Sequence, residues 1–177
     1  MIKALLSGVL AALLLGGGAA LASKISSSAG GHDYPEAESY TVSDDPSAEV
    51  DAALSRAAEN DRRVLLVMGA NWCHDSRALA GWLATDRFRA LIDERYELVF
   101  VNIGMPQTGD GHNLEIARRF GLEELPGTPN LLVLTAEGEP LNADTATTWR
   151  NTASREEDAI FEELATLADD KSPKPAP

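Results

Sequence analysis

The sequence predicts an α/β sandwich. Short apolar runs alternate with amphipathic segments of helical spacing, cap and turn residues fall between them, and no internal repeat divides the chain. Its 177 residues fit one domain with terminal extensions, and the hydrophobic content of 44% is enough for a sizeable core. A formal charge of -13 argues against nonspecific attraction to nucleic acid or to an anionic membrane surface, and points to solubility rather than to a particular substrate.

The elements follow in order. Lys3, the apolar run from Ala4 to Leu15 and the small residues ending at Ala20-Leu21-Ala22 read as a secretory signal, residues 1–22, cut after Ala22. The alternative is a membrane anchor over residues 4–22, because no charge interrupts the stretch before Lys24. The expected location is therefore the periplasm or another exported compartment, with membrane attachment only if the segment stays uncleaved. Residues 23–43, rich in Ser, Gly and acidic side chains, read as a flexible linker, and residues 170–177, with three prolines, as a disordered tail.

Between them lies the domain, residues 44–169. A helix over Pro46 to Asn60 puts Val50, Ala53, Leu54 and Ala57 on one face, with Pro46 suited to its first turn. Val64 to Met68 is a continuous apolar run, as expected of a strand covered on both faces. A helix from about Cys73 to Ala84 carries Leu79, Trp82 and Leu83, and a second carries Phe88, Leu91 and Ile92, with capping chemistry at Thr85-Asp86. Leu98 to Ile103 is a further strand, Asn113 to Phe120 a short helix stopped by Gly121, and Leu131 to Leu134 a third apolar strand before the turn at Glu137-Gly138. The last helix is expected to open with Ser154 and Glu157 in capping-box spacing and to bury Ile160, Leu164 and Leu167.

Cys73 is the one cysteine, so it forms no internal disulfide; it is an inert buried side chain, an intermolecular partner or a reactive thiol. Its position favours the last. It follows a strand and opens a helix, where unpaired N–H groups and the positive end of the helix dipole favour a thiolate.

The residues Trp72-Cys73-His74-Asp75-Ser76, after an apolar strand and before an amphipathic helix, resemble the active-site segment of the thioredoxin-like superfamily with its second cysteine replaced by serine. Downstream, Gly127-Thr128-Pro129-Asn130 before a strand resembles the superfamily's cis-proline loop. The resemblance covers about residues 45 to 168. It implies a three-layer sandwich, a central mixed β-sheet flanked by helices. It further implies that Cys73 is the nucleophile, Trp72 the aromatic residue packing beside it, Pro129 a cis-proline whose loop guides substrate peptide, and Thr128 a binding residue beside it.

Two departures go together. Ser76 stands where the resolving cysteine would be, and Val67 where thioredoxins carry a buried carboxylate, so an internal disulfide cycle is lost. Ser76 either donates a hydrogen bond to the Cys73 thiolate or fills the space of the missing cysteine. His74 favours a thiolate when protonated and Asp75 opposes it; both are also ordinary residues of an exposed first turn. Cys73, His74 and the distant His112 are too few and ill spaced for a metal site, and no phosphate loop or dinucleotide fingerprint is present. His112 reads as part of a solvated turn.

These readings lead to a monothiol redox protein of the cell envelope, serving redox homeostasis there. Cys73 and Ser76 are its catalytic candidates, and Trp72, His74, Thr128 and Pro129 its binding candidates. It takes protein or peptide thiols and disulfides as partners and no metal or cofactor, with glutathione as a possible co-substrate. The alternative is a peptide-binding or chaperone-like module that keeps the fold without turnover.

Overall fold

The computed structural model describes residues 34–174, so the expected signal segment and most of the expected linker lie outside the described residues. Ten regular elements follow: α1 (Pro46–Asn60), β1 (Arg63–Gly69), α2 (His74–Leu83), α3 (Asp86–Arg95), β2 (Tyr96–Asn102), β3 (Gly104–Met105), β4 (Asp110–Gly111), α4 (Leu114–Arg119), β5 (Asn130–Leu134) and α5 (Glu157–Asp169). Two 3-10 segments, Pro106–Thr108 and Ala146–Ser154, complete them. None of the described helices is long and apolar enough to cross a membrane.

The sheet is mixed. β1 lies centrally, parallel to β2 with Leu66 opposite Val99 and antiparallel to β5 with Leu66 opposite Leu132. Alternation along β1 sends Val64, Leu66 and Met68 to one face, where they meet Val50, Ala53 and Ala57 of α1 and Ile116 and Ala117 of α4. Leu65 and Val67 go to the other, against α2, α3 and α5 through Leu79, Phe88, Ile160 and Leu164. Both faces are covered, which is why the run reads as continuously apolar. The architecture is the three-layer thioredoxin-like sandwich.

Local chemistry sets the helix ends. Asp45 caps α1 by accepting the Ala48 N–H at 2.9 Å, with Pro46 in the first turn. Gly121, at φ 86°, ends α4 in a left-handed conformation that costs glycine nothing. Two expected caps do not form. Thr85 bonds back to the Trp82 carbonyl rather than forward into α3. Ser154 closes the 3-10 segment with its Oγ on the Asn151 carbonyl, so α5 starts at Glu157 without a side-chain cap. Helical turns wound before Glu157 have taken the residue that a capping box needs.

The expected linker and tail also differ within the described residues. Residues 34–43 pack on the domain: Ala37 N–H donates to Arg77 O at 3.0 Å, and Tyr40 is 1% exposed. Pro35 O would lie 2.2 Å from a Cβ on Gly81, so α2 accepts this segment only because position 81 has no side chain. Beyond α5, Lys174 N–H donates to Pro140 O and Ala143 N–H to Lys174 O, so the chain is tied down at Lys174. One burial inside this segment outweighs its polar composition: an aromatic ring removed from water recovers more than the neighbouring polar residues lose.

Candidate functional site

Sheet geometry brings three chain segments together. The C-terminal ends of β1 and β2 are adjacent, Gly69 opposite Asn102, and the N-terminal end of β5 sits beside them, Asn130 opposite Met68. The turn 70–73, the segment after Ile103 and the loop at Thr128-Pro129 therefore leave the sheet at one edge.

Cys73 occupies the N-cap position of α2, with its N–H on Ala70 O and its carbonyl accepting Arg77 N–H. Its thiol donates to the Thr128 carbonyl across the cleft, Sγ to O 3.4 Å, and the residue is 7% exposed. The Thr128–Pro129 peptide bond is cis. Cys73 and the Thr128-Pro129 loop thus face each other directly.

Trp72 is half exposed beside Cys73, and its indole N–H donates to Gly104 O at 3.0 Å. His74 is mostly exposed, with Nε2 3.0 Å from Asp75 Oδ2. Asp75 is buried, and its second oxygen accepts the Ala153 N–H at 2.8 Å. The carboxylate therefore ties the start of α2 to the 3-10 segment as well as to the histidine.

Ser76 is fully buried and turned inward. Its Oγ accepts the Ala70 N–H at 3.4 Å, while its carbonyl accepts the Tyr40 hydroxyl at 3.3 Å. No hydrogen bond joins it to Cys73, so in this conformation Ser76 fills the place of the second cysteine rather than supporting the thiol. Val67 is packed in the apolar cluster beneath, leaving no acid under the site.

The ionisable group that does lie there is the Tyr40 phenol. Burial pushes its pKa well above the ordinary value, so at neutral pH it is a hydroxyl donor. Its ring stacks edge-on against Phe100, centroids 5.2 Å apart, and a Cβ on Gly69 would meet it at 2.6 Å. Asn71 pairs with the Tyr40 backbone through both ends of its amide, and Asn102 Nδ2 donates to Tyr40 O. None of these positioning residues was evident in the sequence. An aromatic residue in a polar stretch without periodicity was the one available signal. His112 is exposed and lies against Gly104, and among the described residues no three metal-ligating side chains cluster. The cavity of about 580 Å³ between α3 and β2, lined by Leu83, Ile92, Tyr96 and Phe100 among others, includes no residue of the Cys73 turn.

No curated protein matches the sequence. The crystal structure of a disulphide isomerase from Xylella fastidiosa Temecula1 matches with a TM-score of 0.67 and 27% identity, covering 75% of this chain and 98% of that one. The sequence model of a family described as thioredoxin-like matches residues 45–136. That span exceeds half of the chain and holds both Cys73 and Pro129, and the chain belongs to the thioredoxin-like family.

Proposed function

We propose that the protein is an exported thiol–disulfide oxidoreductase that works with one thiol, in the redox homeostasis of the cell envelope. The observation that carries this is the placement of Cys73 at the head of α2, its thiol on the Thr128 carbonyl of the cis-Pro129 loop. Family membership and the likeness to a disulphide isomerase support protein thiols and disulfides as its partners. Export rests on the pattern of residues 1–22, with residues 4–22 as an anchor if they are retained.

In the exchange, the Cys73 thiolate attacks one sulfur of a substrate disulfide. A mixed disulfide forms and the second substrate sulfur leaves as a thiolate. An external thiolate, glutathione among the candidates, then attacks the substrate sulfur of the mixed disulfide and returns Cys73 as thiolate. One disulfide is consumed and one is formed, so electrons balance without a cofactor. Thr128 and Pro129 border the attacking sulfur where an extended substrate would lie, and Trp72 and His74 flank it. Ser76 takes part by not being a sulfur: the mixed disulfide persists until an outside thiol arrives.

A second reading has its own support, because Cys73 is 7% exposed and its thiol already has a partner. On that reading the Thr128-Pro129 cleft binds peptides without turnover. Glutathione disulfide separates the two. Wild type is expected to gain one glutathione by intact mass and Cys73→Ala none. Ser76→Cys is expected to release glutathione and close an internal disulfide, since positions three apart on a helix lie within bridging reach. Wild type that stays unmodified while the unfolded chain reacts leaves the binding module standing.

A further inference from the structure

The segment between β2 and α4 is the part of the site edge that the exchange reading leaves unused. It forms a small antiparallel hairpin, β3 with β4, Gly104 opposite Gly111 and Met105 opposite Asp110. Its base is fixed to the sheet: Gly104 N–H donates to Asn102 Oδ1, Asn113 Nδ2 donates to Asn102 O, and His112 N–H donates to Ile103 O. Gly104 has φ 60°, and a Cβ there would lie 2.6 Å from both Asp110 O and His112 Nδ1. The fold thus holds a glycine at the base of the hairpin, where its strands approach closely, and the carbonyl of that glycine receives the Trp72 indole N–H.

The turn carrying the thiol is therefore held on two sides, Trp72 latched to the hairpin and Cys73 to the Thr128 carbonyl. With Cys73 nearly buried, a disulfide reaching Sγ must enter between these two walls. We propose that the β3–β4 hairpin is a specificity-determining rim of the Cys73 site, selecting disulfides carried on a polypeptide over small-molecule disulfides. The proposal rests on the exchange reading and deepens it by naming the element that selects among its substrates. A polypeptide continues beyond its cysteine, and a chain leaving the thiol on the Trp72 side passes the hairpin that holds Trp72, which carries half-buried Met105 and exposed Gln107. A small disulfide has little chain beyond its sulfur with which to do so.

The test compares three reactions of Cys73 in the full chain: alkylation by iodoacetamide, mixed-disulfide formation with glutathione disulfide, and mixed-disulfide formation with scrambled-disulfide ribonuclease. In one variant, Pro106 to Gly109 are replaced by a Gly-Gly turn. In a second, Met105→Ala with Gln107→Ala, only side chains at the rim are truncated, so the fold is kept if the shortened loop fails. The shortened hairpin is expected to react with ribonuclease about tenfold more slowly and the double variant about threefold, within the usual range for lost substrate contacts. Alkylation and the glutathione reaction should stay within about twofold of wild type, since neither reaches the rim. An equal fall in all three reactions, or no fall with ribonuclease in either variant, overturns the rim. Wild type that is alkylated but reacts with neither disulfide defeats the exchange reading itself, and the rim with it.

Discussion

The two faces of the sheet are built differently. On one, α1 and α4 meet β1, β2 and β5 through aliphatic side chains, Phe120 and little else. On the other, buried polar groups run through the apolar packing: the Tyr40 hydroxyl on Ser76 O, the Tyr96 hydroxyl on Leu164 O, and Asp75 on the Ala153 amide. Apolar contacts are strong in sum and indifferent to small slides, whereas a hydrogen bond fixes a direction. The face that carries α2 and Cys73 is the one fixed by directional bonds; the opposite face supplies cohesion.

Leu66→Ala breaks this division most forcefully. Leu66 is fully buried at the centre of β1, between Val99 and Leu132, and packs on the face of the sheet opposite to α2. Its truncation should cost about 2–5 kcal/mol of stability, from lost transfer energy and a cavity. Below its transition temperature, the variant should alkylate at Cys73 as fast as wild type. Chemical denaturation gives the first quantity and iodoacetamide kinetics the second. A thiol perturbed as strongly as the fold would mean that the two faces do not divide their labour.

The polar face makes a smaller, pH-dependent contribution. Burial is the main cause that raises the pKa of Tyr40 and Tyr96 above the ordinary 10.0. Above that pH the unfolded phenols lose their protons while the folded ones keep theirs, so the unfolded state binds fewer protons and stability falls as pH rises. Below pH 10 this contribution is fully present. Tyr40→Phe removes the hydroxyl bond to Ser76 O and should cost about 1 kcal/mol at pH 7. It should also make the decline between pH 10 and 11 shallower than in wild type, because one titrating phenol is gone. An unchanged alkaline slope in denaturation curves would show that Tyr40 is not held protonated by the fold.

The apolar face was also the legible one. Continuous apolar runs in β1 and β5 and the 3.6-residue stripe of α1 name their own partners, since covering apolar surface leaves few arrangements. Cys73, Ser76 and the Thr128-Pro129 loop were legible through their resemblance to the motifs of the thioredoxin-like superfamily. Tyr40, Asn71 and Gly104 were not, because their roles depend on hydrogen bonds between segments 31 or more residues apart. The polar composition of residues 34–43 concealed one buried ring, and the loop Gly109-Asp110-Gly111-His112 gave no sign that its neighbour Gly104 would receive Trp72.

The smallest expected effect tests where local pattern yields to packing, and it compares two helix starts. Asp45 accepts the Ala48 N–H, a cap that forms as its position before Pro46 suggests, and Asp45→Ala should cost about 1 kcal/mol. Ser154 has equally good spacing to Glu157, yet it is exposed and donates to Asn151 O. The first turn of α5 is held from outside instead, by Arg87 bonded to the carboxylates of Glu157 and Asp158. Ser154→Ala should therefore change stability by less than about 0.5 kcal/mol, the scale of an ordinary surface substitution. Urea denaturation of both variants under one buffer decides the matter. Equal losses at the two positions would mean that α5 begins earlier, with Ser154 as its cap, and that the 3-10 segment packed on α2 ends before it.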